Sequence, residues 1–540
     1  MAGFFNVPKA LNEPIKDYRK NSVEYNALIQ QIEAYRNAYI KIPMYIGAEK
    51  VFTENVRTIH PPHDHQHILG SYAYGDESHV QKAIETALEA KKKWEIIPWE
   101  NRLSIFMKAA ELAAGPYRYK LNAGTMLCQS KNVYQAEIDA ACELIDFFRF
   151  NVEYVSQIYK QQPESAPGIW NRLDYRPLEG FTVAITPFNF TAIAANLPCA
   201  MAMMGNVVVW KPAENQIYTA NIIMELLYEA GLPQGVINLV YCDGETFGNT
   251  VFTHQDFAGL HFTGSTKVFK HLWQIIGNNI EHYKTYPKIV GETGGKDFML
   301  ADTTVKDEIL VANMIRGAFE YQGQKCSAAS RAYIPTKNWN SVRELLIKEL
   351  STVKIGPTED TSNFVNAVIN EQAFDKLTKF IEDARNSNEC EIIFGGTYDK
   401  SKGYFITPTV ILTSNPKYTT MYEELFGPVL TIYLYDNADE TLFNLIDTTS
   451  NYALTGAILS QDRYFVQKAL EHLKNAAGNL YINDKPTGAI VGQQPFGGAR
   501  GSGTNDKAGS ILNLLRWTSP LTIKETLVPI SNYRYPFLEK

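Results

Sequence analysis

GFTVAITPFNFTAIAANLPCAMAMMGNVVVWKPAE, residues 180 to 214, is the stretch on which the fold turns. It opens on a short β-branched run (182–186), continues through an apolar segment of helical length, and closes on a second run (206–210). Two such runs joined by a helix form a parallel crossover unit, because strands buried on both faces read as continuous apolar runs. The pattern recurs at 235–241, 259–262 and 288–291, which predicts a doubly wound α/β domain. A further alternation from about 301 to 483, with strands near 331–335, 391–394 and 429–435, predicts a second α/β domain. The apolar stretch 191–210 is interrupted by Asn196, Pro198, Gly205 and Asn206, so it reads as buried core and not as a membrane span.

Upstream, residues 1 to about 45 read as polar and helical, with Tyr18, Tyr25, Tyr35 and Tyr39 placed to wrap a larger body. Ser78 and Gln81 form a capping-box pattern before the stripe Val80, Ile84, Ala87, Leu88, and Lys91 to Lys93 close that helix where cations suit its dipole. A second helix is predicted at about 101–114, stopped by Gly115-Pro116, and a long one at about 135–160. Two extended segments, 170–177 and 518–529, alternate polar and apolar residues without an evident partner in either domain, which predicts an oligomerisation arm.

Composition narrows the function classes. With 540 residues, 45% hydrophobic and 20% charged, the chain is long enough and apolar enough for two or three domains, and is unlike a disordered or fibrous protein. Its 51 basic against 58 acidic residues give a net charge of -7, which offers no attraction to nucleic acid or an anionic membrane. The six cysteines show no CxxC and no metal-ligand spacing, so free thiols in a reducing compartment are expected. The opening residues lack a signal-like apolar run and carry Glu13 and Asp17, which predicts a cytoplasmic protein, or a mitochondrial matrix one in a eukaryote.

Three strings carry potential chemistry. Glu320-Tyr-Gln-Gly-Gln-Lys-Cys326-Ser sets a cysteine beside Lys325, where a lowered pKa would make it a nucleophile; taken alone, it reads better as a buried inert thiol, since free cysteines are usually buried small hydrophobes. Val290-Gly-Glu292-Thr-Gly-Gly-Lys296 puts a carboxylate at a strand end, suited to a general base if its pKa is raised, or to capping a helix. Ile185-Thr-Pro-Phe-Asn189 places an amide at a strand mouth, where its NH2 can hold an oxyanion.

Together with Trp210-Lys-Pro-Ala-Glu214, Phe262-Thr-Gly-Ser-Thr266, Glu423-Glu424-Leu-Phe-Gly-Pro-Val429 and Gln494-Pro-Phe-Gly-Gly498, in this order, these strings resemble the aldehyde dehydrogenase superfamily over nearly the whole chain. Within it, EIDAACELIDFFRF (137–150), residues 180–192 and YINDKPTGAIVGQQPFGGARGSGTNDK (481–507) resemble the monofunctional L-glutamate γ-semialdehyde dehydrogenases. The resemblance implies a Rossmann-type NAD domain (1–165 and 180–290), an α/β catalytic domain (291–490) and a small β oligomerisation arm (166–179 and 512–540). It implies Cys326 as nucleophile, Asn189 and the Cys326 backbone N–H as oxyanion donors, and Glu292 as the base that activates water. A base at 292 speaks against the coenzyme-A-acylating branch. NAD would be held by Thr186, Lys211, Glu214, Gly264, Ser265, Thr266 and Glu424, although no GxGxxG follows the first crossover strand. Glu214 would favour NAD over NADP by repelling a 2′-phosphate.

For the substrate, the resemblance implies a carboxylate anchored by Ser327 and the backbone of Gly488 and Ala489, a chain packed by Phe190 and Phe496, and Glu143 on a helix bordering the pocket. Some relatives carry serine in place of Ala489, which costs a hydroxyl contact and keeps the backbone donor. A homodimer or larger homo-oligomer and a functional link to a proline dehydrogenase are further expectations, with no metal, nucleic acid or membrane. Three competing patterns are set aside. His60, His63, Asp64, His65 and His67 read as a surface turn or strand, no histidine is marked as a base for Cys326, and the run 497–503 lacks the Lys-Ser/Thr of a P-loop. The alternative activities are a dehydrogenase of succinate or aminoadipate semialdehyde, and a non-catalytic protein retaining the fold. An added proline oxidase barrel has no segment to supply it.

Overall fold

The computed structural model describes Gly3 and residues 5–538. A seven-stranded sheet organises the first half of the chain, in the order Lys288–Glu292, Phe257–Thr263, Phe181–Thr186, Val208–Pro212, Ile237–Leu239, Met44–Ile46 and Glu49–Val51. The first five strands are parallel, and the last two form an antiparallel hairpin at the edge. From Phe181–Thr186 the chain winds to one side through Val208–Pro212, then returns on the other side through Phe257–Thr263. The carboxyl end of Phe181–Thr186 is therefore a topological switch point, where open α/β sheets leave a crevice for a ligand.

The edge hairpin corrects the helical reading of residues 1–45. Among the described residues of this stretch only Val23–Asn37 is helical; Ile40–Ile42 joins a small three-stranded sheet, and Met44–Ile46 is buried on both faces. Gly47, at φ +58°, makes the turn between the two hairpin strands. Asp76, not Ser78, caps the helix Glu77–Trp94: its carboxylate accepts from the Ser78 and His79 amides, and the His79 ring returns to the Asp76 amide. Asp76 is the last residue with extended backbone, so its side chain is the one that reaches the free amides.

The long helix at 135–160 is also interrupted. Val133–Ala136 leads into a π-helical stretch, Glu137–Cys142, before Glu143–Lys160 resumes the α-helix. The wider turn inserts Glu137 against Arg118, a fully buried pair, and sends Asp139 to Lys131 at 2.7 Å. Removing one partner of such a pair strands a buried charge, at a cost of about 3–5 kcal/mol.

A second seven-stranded sheet runs Cys390–Phe394, Thr409–Thr413, Val429–Tyr435, Ala329–Pro335, Asp297–Ala301, Thr455–Leu459 and Asn479–Ile482, parallel except for the first pair. Ile169–Pro177 and Thr518–Thr526 pair with each other as an antiparallel ribbon from Pro177↔Thr518 to Ile169↔Thr526. One large apolar cluster lines the first sheet and takes in Val491, Leu514 and Trp517 from the far end of the chain, while three smaller clusters line the second. The chain thus crosses from the first sheet to the second at 292–297 and comes back after 482.

The histidine run is not wholly a surface turn. His63 is buried, with its ring between Ser130 Oγ (3.1 Å) and a Glu359 carboxylate oxygen (3.0 Å), whereas His65 and His67 bond the backbone carbonyls of Lys400 and Arg36. Among the described residues, no group of three or more His, Cys, Asp or Glu side chains is placed to hold a metal. None of the described helices is long and apolar enough to cross a membrane.

Candidate active site

The carboxyl ends of the first sheet gather the residues proposed to hold a dinucleotide. Thr186 ends one strand, and its hydroxyl accepts from the Trp210 indole at 2.9 Å. Lys211 lies on the next strand, in register with Ile185. Gly264 follows Phe257–Thr263, and Ser265 caps Thr266–Asn278, a thirteen-residue helix whose first-turn amides present a site for phosphate oxygens. The Lys211 ammonium has no hydrogen-bond or ion-pair partner among the described residues, and burial pushes it below the usual lysine range. A desolvated ammonium without a partner and a phosphate-ready helix start, set at the same end of the sheet one strand apart, fit a dinucleotide. Glu214 is exposed and receives Arg57 Nη1 at 2.5 Å; the Arg57 guanidinium in turn stacks 3.6 Å above the Tyr74 ring. Nothing in the local sequence singled out Arg57, which lies far from Glu214 in the chain.

Glu424 reaches across from the second sheet. Its carboxylate accepts from the Gly295 amide at 2.9 Å, and a Cβ on Gly294 would stand 2.3 Å from it, so a larger residue there would push the carboxylate aside. Gly294 N–H in turn donates to Thr266 Oγ1 at 3.2 Å, which ties Glu424 and the helix start to one loop.

Cys326 follows a tight turn, Glu320–Gly323, in which Tyr321 and Gln322 both take left-handed backbone at φ 51° and 54°. Each such residue costs of order 1–3 kcal/mol and persists only where its surroundings hold it. Here the Gln322 amide donates to the carbonyls of Ser130 and Ala367, both at 2.9 Å, and Gln324 Oε1 accepts from the Ile369 amide at 2.8 Å. Asn189 Nδ2 donates to the Gln324 carbonyl at 3.0 Å, two residues from the thiol, and keeps a second N–H for another acceptor. The 294–295 loop passes so close that a Cβ on Gly295 would lie 2.2 Å from the Cys326 carbonyl oxygen.

The expectation that Lys325 lowers the Cys326 pKa is corrected. Burial pushes the thiol well above its ordinary value, and the Asp297, Glu292 and Glu424 carboxyls push the same way. The Lys325 ammonium instead lies near Asp139 (3.5 Å) and Glu320 (3.9 Å). The resting thiol is therefore neutral, and a base must take its proton.

Glu292 ends the strand Lys288–Glu292, and its Oε2 accepts from the Gly498 amide at 3.1 Å. Burial raises its carboxyl well above the usual range; the Gly498 amide and the Lys507 ammonium oppose that rise and Asp506 adds to it. Lys507 Nζ donates to the Gly478 carbonyl (2.8 Å), the Gly497 carbonyl (3.0 Å) and Asn479 Oδ1 (3.2 Å), which fixes the turn that presents the Gly498 amide. Sequence reasoning missed Lys507, because its target is formed by chain segments brought together only in the fold.

Ser327 is buried and shares a 2.7 Å hydrogen bond with Thr487, which brings the residue after Cys326 against the loop of Gly488 and Ala489. Gly488 has φ +94°, a conformation that glycine adopts freely. The Phe190 ring faces Lys131 Nζ at 4.2 Å. The Glu143 carboxyl has no hydrogen-bond partner among the described residues; burial pushes it well up, Asp139 adds to this, and Lys131 and Lys325 oppose it. Phe496 pairs through its backbone with Ala508 and leads into the Gly497–Gly498 turn at Glu292.

A dinucleotide crevice, a cysteine beside an amide donor, and a carboxyl with a raised pKa are the parts needed for covalent oxidation of an aldehyde. The pattern defining the aldehyde dehydrogenase family matches residues 49–521, and the chain belongs to that family. The chain is 49% identical to the mitochondrial Delta-1-pyrroline-5-carboxylate dehydrogenase of Dictyostelium discoideum, over 99% of this chain and 96% of that protein. It is 48% identical to a probable delta-1-pyrroline-5-carboxylate dehydrogenase of Schizosaccharomyces pombe, over 98% of each. The crystal structure of the Delta-pyrroline-5-carboxylate dehydrogenase from Mycobacterium tuberculosis bound with NAD superposes with a TM-score of 0.97 at 48% identity, covering all of both chains.

Proposed function

We propose that this chain oxidises L-glutamate γ-semialdehyde, the open form of Δ1-pyrroline-5-carboxylate, to L-glutamate with NAD, the second step of proline degradation. The observation that carries the reading is the bond between Ser327 and Thr487: it joins the residue after the nucleophile to the loop suited to a substrate carboxylate. Full-length identity to two such dehydrogenases supports it.

Cys326 Sγ adds to the aldehyde carbon as its proton passes to a nearby base, and Glu292, whose charge the thiol already feels, is the carboxyl with the raised pKa suited to receive it. The resulting oxyanion is held by the free N–H of Asn189 and the Cys326 amide. Thr186, Lys211, Glu214, Gly264, Ser265, Thr266 and Glu424 would hold NAD, which when bound supplies the two-electron acceptor that turns the thiohemiacetal into a thioester. Once Glu292 has passed the thiol proton to solvent it takes a proton from water, the water oxygen adds to the thioester carbon, and the C–S bond breaks with that proton returning to Cys326 Sγ as glutamate forms. Ser327 and the amides of Gly488 and Ala489 grip the carboxylate, Phe190 and Phe496 flank the aliphatic chain, and Glu143 borders the pocket from its helix.

The domain division given above and the pairing of arms into a homodimer are part of the same proposal. So are a functional link to a proline dehydrogenase and a reducing compartment, cytoplasm or mitochondrial matrix, which the six free cysteines suit.

The test is NADH formation with pyrroline-5-carboxylate beside succinate and aminoadipate semialdehydes, each with NAD and with NADP. Preference for pyrroline-5-carboxylate with NAD is expected, and faster turnover of another semialdehyde overturns the substrate. Glu214 supplies a second prediction. Glu214→Ala frees Arg57 to meet a 2′-phosphate, so the NADP-to-NAD ratio of kcat/KM rises by roughly tenfold. An unchanged ratio removes Glu214 from cofactor choice.

A further inference from the structure

We propose that the N-terminal segment braces the loop that grips the substrate carboxylate, with Asn12 as the positioning residue; this rests on the reading of Gly488 and Ala489 given above. Residues 5–19 form neither helix nor strand, yet they are fastened to the helical run below them. The Ala10 amide donates to Glu153 at 2.7 Å, the Glu13 amide to Asp146 at 2.7 Å and the Lys16 amide to Glu137 at 2.9 Å. Asp146 and Glu153 lie two helical turns apart on one face, so the segment runs along that face as a strap.

Attachment to the helix needs no more than these bonds, but Asn12 goes further. Its Nδ2 donates both to Asp146 Oδ2 and to the Val491 carbonyl, each at 2.8 Å, and its Oδ1 accepts from Gln493 Nε2 at 3.0 Å. A side-chain amide can donate twice and accept at once, which suits Asn12 to link the helix to the loop. At its other end the loop is held by the bond between Thr487 and Ser327. Between these two posts lie Gly488, Ala489 and Ile490, which have no regular structure of their own.

The carboxylate donors here are main-chain amides, and their direction follows the path of the loop, with no side-chain rotamer to correct it. Hydrogen bonding weakens steeply with angle, so a loop released at Val491 loses grip on the carboxylate while Cys326, Asn189 and Glu292 stay in place. Asn12 therefore acts on substrate affinity and not on bond making.

The test compares Asn12→Ala and Asn12→Asp with the parent enzyme, using pyrroline-5-carboxylate and propanal, an aldehyde without a carboxylate. Expected is a KM for pyrroline-5-carboxylate raised by roughly tenfold, on the scale of lost hydrogen bonds, with kcat and the KM for NAD little changed and propanal oxidation unaffected. Asn12→Asp loses both donated bonds and sets a second carboxylate beside Asp146, so its effect is the larger. Gln493→Ala, on the exposed side of the loop, gives a smaller rise in the same direction and serves if the Asn12 variants fold poorly. A parallel loss on both aldehydes, or no change with either, overturns the proposal. A parent enzyme that shows no preference for pyrroline-5-carboxylate over propanal instead overturns the substrate reading.

Discussion

Cys326→Ala lowers NADH formation from pyrroline-5-carboxylate by roughly four to six orders of magnitude, as loss of a covalent nucleophile does elsewhere, and leaves NAD binding intact. The separation of effects follows from the geometry. The Cys326 turn is held by Gln322, Gln324 and Asn189, none of which bonds the thiol, so a methyl group leaves the left-handed backbone and the crevice in place. The residues suited to NAD lie at the ends of the first sheet. Rate is measured by NADH absorbance, and binding by quenching of protein fluorescence on titration with NAD. Turnover within a hundredfold of the parent rules out a covalent thiohemiacetal at Cys326.

Glu292→Gln separates the two halves of the reaction. An amide can accept the Gly498 N–H but cannot take a proton from water, so the thioester forms and persists. Rapid mixing shows a first burst of NADH approaching one equivalent, after which steady turnover falls by roughly 10²- to 10⁴-fold, the usual contribution of a general base. The burst is slower than in the parent if Glu292 also takes the thiol proton, but hydrolysis suffers more, and mass spectrometry finds the acyl group on Cys326. The pH dependence has a definite sign. Because burial raises the Glu292 carboxyl, it stays protonated at pH values where an ordinary glutamate is ionised, so parent turnover falls as pH drops through that raised value. The limb is absent in Glu292→Gln. Full steady turnover in the variant removes Glu292 from the role of base.

Much of the scaffold was legible because strands buried on both faces advertise themselves. The run at 182–186 and its neighbours are continuous apolar segments, and the observed strands differ from them by only a few residues at the ends. The candidate chemistry was legible for a related reason: Asn189 and Glu292 come just after or at the ends of such strands, where a doubly wound sheet places its ligands. The edge hairpin at Met44–Ile46 was hidden because three-residue strands carry too little period to detect. The π-helical turn at Glu137–Cys142 was hidden because one inserted residue barely disturbs a helical pattern. Lys325 misled because adjacency in sequence does not fix where a long side chain goes, here toward Asp139 and Glu320, and Asn12, Arg57 and Lys507 matter only through groups that are distant in the chain.

The paired arm has a consequence for how the molecule is made. Ile169–Pro177 leaves the ribosome more than three hundred residues before its partner Thr518–Thr526. At ordinary synthesis rates that delay is roughly 20 to 70 seconds. Throughout it, a nine-residue strand has nothing to pair with, and such an edge recruits other chains. Its sequence, IWNRLDYRP, alternates Arg172, Asp174 and Arg176 along one face, and charges of both signs discourage stacking of one unfinished copy upon another. The sequence distance between the two halves of the arm thus sets how long this strand edge stays unpaired, and its charged positions are of the kind that blunt such an edge.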